Sequence, residues 1–114
     1  MSTHFNYQGV DLHLTKAGAM YYRVSFHDRD TVGLVKSDSV TSKTVFFLYD
    51  STGKKIDHRT TDLLNETEIV HSFCEWAFPL LLRYPAEIKR LTENGYKIKK
   101  YRSIFDDWQK SLDI

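Results

Sequence analysis

Residues 43–81, KTVFFLYDSTGKKIDHRTTDLLNETEIVHSFCEWAFPLL, change their apolar period near Thr60, and that change decides the fold class. Before it the period is two. Over 43–50 the run Val45, Phe46, Phe47, Leu48, Tyr49 is rich in β-formers and apolar on both faces, which predicts a strand in the interior of a sheet. Asp50-Ser51-Thr52-Gly53 offers a turn with glycine where a left-handed residue is wanted, so residues 54–59 are expected to return as the second arm of a hairpin. That arm is mostly charged and suits a sheet edge. After Thr60 the spacing becomes three and four: Ile69, Val70, Phe73, Trp76, Ala77, Leu80 and Leu81 share one side of a helix. Asn65 and Glu68 have capping-box spacing and place the helix start near Glu66, while Pro79 predicts a kink or a break near Phe78.

Working outward, the N-terminal part keeps the period of two. Val10, Leu12 and Leu14 alternate with polar residues, as do Met20, Tyr22, Val24 and Phe26, and Gly18 lies where a hairpin between them would close. Asp28-Arg29-Asp30 reads as a turn leading into a third strand over 31–36. Toward the C-terminus, Pro85 and the pair Asn94-Gly95 frame a short helix over 85–93. Residues 96–101 alternate weakly and fit strand or helix. Ser103 with Asp106 opens a last helix carrying Ile104, Phe105, Trp108 and Leu112. The expected fold is α+β, one domain over 1–114. An antiparallel sheet of four to five strands from residues 1–60 packs against two to four helices from 61–114.

Composition narrows the function. The chain has 114 residues, 16 Lys+Arg against 15 Asp+Glu, and an aromatic share of 14%, which favours one packed core over disorder. No apolar run reaches membrane-spanning length and the N-terminus lacks the apolar stretch of a secretory signal, so a soluble, cytoplasmic protein is expected. A single Cys74 cannot build a disulfide framework or a multi-cysteine zinc site.

No phosphate-binding glycine loop, HExxH, GxSxG or CxxC occurs, so neither enzymatic activity, cofactor nor metal is expected. Three weaker constellations remain. His13 and His27 fall on the polar face of the first predicted hairpin and, with Asp11 or Asp28, could form a His/carboxylate cluster, although a polar face must carry such residues anyway. The run His27-Asp28-Arg29-Asp30 has the residues to bind a cation or a phosphate and equally those of an ordinary turn. Cys74 stands one helical turn from His71, close enough to share a proton, but cysteine in apolar company is usually buried.

Charge and aromatic content point to binding instead. Residues 62–75 hold Asp62, Glu66, Glu68 and Glu75 and no Lys or Arg, whereas 83–102 hold seven Lys and Arg against Glu87 and Glu93. Seven Tyr, seven Phe and two Trp exceed what a small core needs, and Tyr21 and Phe47 (or its neighbour Phe46) fall on the sheet face away from the helices. The first reading is a small binding protein, of the size of a bacterial or phage accessory or inhibitor protein. It would dock onto and modulate a protein partner through Tyr21, Phe47, Tyr96, Lys97, Lys99, Lys100, Tyr101 and Arg102; a homodimer is compatible. The alternative is a nucleic-acid binder using Lys89, Arg90, Lys97, Lys99, Lys100 and Arg102 on phosphates, with Tyr96 or Tyr101 stacking on bases.

Overall fold

The structure is a computed structural model that describes residues 2–27 and 29–97. Six strands form one antiparallel sheet in chain order: β1 (Ser2–Tyr7), β2 (Val10–Lys16), β3 (Tyr21–Phe26), β4 (Asp30–Asp38), β5 (Lys43–Tyr49) and β6 (Lys55–Asp62). Helices α1 (Glu66–Leu81) and α2 (Pro85–Glu93) follow. The class is α+β as expected, but the sheet has six strands rather than four to five. The additional strand is β1, whose Thr3, Phe5 and Tyr7 pair with Leu14, Leu12 and Val10. Gln8 and Gly9 both take positive φ, 50° and 87°, and form the two-residue turn that closes this hairpin.

The period-two residues bury one face. Val10, Leu12, Leu14, Val24, Phe26, Val35, Phe46 and Leu48 are buried, as are Ile69, Val70, Phe73, Cys74, Ala77, Phe78 and Leu81 of α1, so the helical stripe and the strand stripes make one core. Gly33 admits α1 to this face. A Cβ there would overlap the Phe73 ring and lie 2.8 Å from the Phe47 carbonyl oxygen. Phe73 in turn meets Phe46 edge-on at 5.7 Å between ring centroids.

α1 begins where its capping box puts it: Asn65 accepts from the Glu68 amide at 2.9 Å, and Glu68 accepts from the Asn65 amide at 3.2 Å. It does not divide at Phe78 but continues through Pro79 to Leu81. The proline removes only the bond to the Glu75 carbonyl, and both residues are on the exposed side, where water can take that acceptor. β5 is hydrogen-bonded on both sides, and the charged β6 forms an edge, both as predicted. α2 spans the predicted residues with Pro85 at its first turn. Gly95 (φ 105°) then brings its backbone against Gly9, and Tyr96 packs on Phe78 at 5.8 Å. The last predicted helix, and residues 98–101, lie outside the described residues.

Candidate functional site

Strand register builds a four-strand platform on the face opposite the helices. Tyr21, Lys36, Val45 and Thr60 stand in one row across β3–β6, and Arg23, Leu34, Phe47 and His58 in the next. Directly paired residues share a face, so the eight side chains form one surface. Its centre is apolar: Leu34, Val45 and Phe47 are half-buried among their neighbours, and Tyr21 is 39% exposed. Two lysines lean over the aromatic rings, Lys36 Nζ 6.0 Å from the Tyr21 centroid and Lys55 Nζ 5.7 Å from that of Phe47. The two rows hold Lys36 and Arg23 and no carboxylate. Acids recur beyond these rows, where Lys43 pairs with Asp62 at 3.3 Å and Asp11 of β2 lies 3.8 Å from His4. No described helix covers this face; both helices pack on the other.

Of the residues singled out from the sequence, Tyr21 and Phe47 therefore sit together, and Phe46 is the one that enters the core. Tyr96 belongs to the helix side, packed against Phe78, and does not join them. Lys97 is exposed, and Lys89 is exposed with its ammonium 3.9 Å from Glu93. Lys99, Lys100, Tyr101 and Arg102 lie outside the described residues.

Arg90 requires a correction. It is 6% exposed and unavailable to a phosphate. Its guanidinium donates to both Asp30 carboxylate oxygens at 2.6 and 2.8 Å, to Glu87 at 3.0 Å, and to the carbonyls of Thr31 and Tyr49 at 2.8 and 3.1 Å. It also lies over the Phe26 ring at 5.1 Å. Burial opposes its charge, but hydrogen bonds and the fields of Asp30 and Glu87 outweigh that penalty and push its pKa up. Glu87, itself 2% exposed, accepts from the Ser51 amide at 2.8 Å. Arg90 and Glu87 thus tie α2 to the β3–β4 and β5–β6 loops. Chain position gave little sign of this, since Asp30 and Arg90 are far apart in sequence; the i, i+3 spacing of Glu87 and Arg90 was the one local signal.

The weaker constellations also resolve. Cys74 is fully buried and burial pushes its thiol far up, away from nucleophilic use. His71 turns outward to Glu75 at 2.8 Å. His27 leaves the ladder for the turn after β3, at φ 52°, while the ring of His13 meets His4 of β1 at 4.8 Å. Asp28 is outside the described residues. Among those described, no group of three or more His, Cys, Asp or Glu is placed to hold a metal ion, and no helix is long and apolar enough to cross a membrane. No protein-family model, curated protein or solved structure matches the chain.

Proposed function

We propose that this protein is a non-enzymatic docking module that binds a protein partner through the open face of its sheet and thereby modulates that partner. The observation that carries the reading is the pair of cross-strand rows around Leu34, Val45, Phe47 and Tyr21, an apolar and aromatic centre with cations and no carboxylate in the same rows. Interfaces concentrate their energy in such aromatic centres, and fixed charge around them selects the partner's sign. The partner surface that fits is apolar at its middle and acidic at its rim.

The test uses the purified chain as bait against cell extract, beside two variants, Tyr21→Ser with Phe47→Ser, and Lys36→Glu with Lys55→Glu. A stoichiometric protein captured by the wild type, with affinity lowered about tenfold or more in each variant, supports the reading, given that central aromatic truncations commonly cost about 2 kcal/mol. Capture unaffected by both variants, or capture of nucleic acid alone, refutes it.

A further inference from the structure

The two edges of the sheet are unlike. β6 carries Lys55, Asp57, Arg59 and Asp62, and such charge discourages pairing with another strand. β1 reads Ser-Thr-His-Phe-Asn-Tyr, with no Lys, Arg, Asp, Glu or Pro. The side of β1 that no described strand pairs with also borders a groove of about 420 Å³ between β1 and the first turns of α1. Phe5, Tyr7, Leu14 and Val70 give that groove apolar walls, and Glu66 and His71 stand at its rim.

The hairpin geometry says which backbone groups of β1 have no partner among the described residues. The two-residue turn at Gln8-Gly9 makes Tyr7 and Val10 its closing pair, so hydrogen-bonded pairs recur at Phe5–Leu12 and Thr3–Leu14. His4 and Asn6 fall between them and point their N–H and C=O away from β2. The close approach of the His4 and His13 rings, at 4.8 Å, agrees with a non-hydrogen-bonded pair.

We infer that β1 is a strand-addition site: an extended segment of a partner pairs with the backbone of His4 and Asn6 and lays alternate apolar side chains into the groove under α1. The charge of the site selects a basic segment. Glu66 lines the groove, Glu75 lies 2.8 Å from His71 of its lining, and β1 contributes no Lys, Arg, Asp or Glu. The occupant is therefore a partner strand of alternating apolar and basic residues. This site is separate from the open sheet face and stands whether or not that face binds.

The experiment is amide hydrogen exchange by NMR on the full chain, alone and with a blocked peptide of alternating Val and Lys; a Val/Glu peptide is the charge control. The expected result is rapid exchange at His4 and Asn6 in the free protein, protection when the Val/Lys peptide is added, and no protection with Val/Glu. His4→Pro removes one outward donor at an edge position that tolerates proline, and should weaken peptide binding about tenfold while leaving the other amides protected. If that variant unfolds, Phe5→Ala serves instead, by emptying part of the groove wall. Protection of His4 and Asn6 without peptide overturns the inference: at every concentration it means that the chain's own residues already cover β1, and only at high concentration that a second copy does. Equal binding of both peptides, or binding unchanged by His4→Pro, overturns it as well.

Discussion

Arg90 joins three parts of the molecule that are distant in sequence, through Asp30 at the start of β4, the Tyr49 carbonyl at the end of β5 and Glu87 on its own helix. A buried guanidinium is tolerated here because its donors meet two carboxylates and two carbonyls. Removing it leaves Glu87 buried without its cation. Arg90→Leu is therefore expected to lower stability by about 3–5 kcal/mol, read as a shift of the urea midpoint, and Glu87→Leu added to it should recover part of the loss. The same residue shows how a chain can mislead. In a stretch of lysines and tyrosines Arg90 looks like a phosphate contact, and only the packing of α2 against the sheet turns it inward.

At the scale of elements, α1 meets the sheet through one missing side chain. Gly33→Ala would press a methyl group into the ring of the fully buried Phe73 and against the Phe47 carbonyl, so the packing must shift to admit it. We expect a loss of about 1–3 kcal/mol or more in chemical denaturation, with the folded state retained. The β5–β6 loop has its own electrostatic tie. Asp50 accepts from the Thr52 hydroxyl at 2.6 Å and from the Thr52 and Lys54 amides, each at 2.9 Å. The Thr52 hydroxyl, then the Lys54 amide, hold the Asp50 carboxyl below its ordinary range. Its folded pKa is below the unfolded one, so the stabilisation is complete above the unfolded value near about pH 4 and is lost as pH falls through the folded value. Asp50→Asn should accordingly be less stable than wild type at neutral pH, and the difference should shrink below about pH 4 in pH-dependent denaturation.

Helices α1 and α2 were legible because Asn65, Pro85 and the Asn94-Gly95 pair mark their ends chemically. β1 was not, although Thr3, Phe5 and Tyr7 alternate with His4 and Asn6. Phe5 and Tyr7 are its only large apolar residues, too few for a periodicity argument alone to separate from a polar N-terminal segment. The Gln8-Gly9 turn was the signal that could have revealed it.

For the molecule as a whole, placing both helices on one face leaves the other to present Tyr21, Leu34, Val45 and Phe47 with Arg23, Lys36 and Lys55. If cations on this face steer an acidic partner, raising salt from low to physiological ionic strength should slow association several-fold and change dissociation little. Stopped-flow mixing with the captured partner would measure this. Lys36→Glu should flatten the salt dependence, while Phe47→Ser should act mainly on dissociation, because packing lost from an interface shortens the life of the complex.

Local chemistry along the chain determined the class of the fold, the start of α1 and both ends of α2, and the place of Tyr21 on the sheet face away from the helices. Alternation, caps and turn residues act between neighbours and can be read in order. The tertiary structure alone decided that Arg90 is an internal tie, that Tyr96 and the open face lie on different sides of the sheet, and that β1 ends the described sheet beside a groove. Each of these depends on residues far apart in the chain meeting in space, and a single sequence records the residue types but not the distances that set their burial and charge.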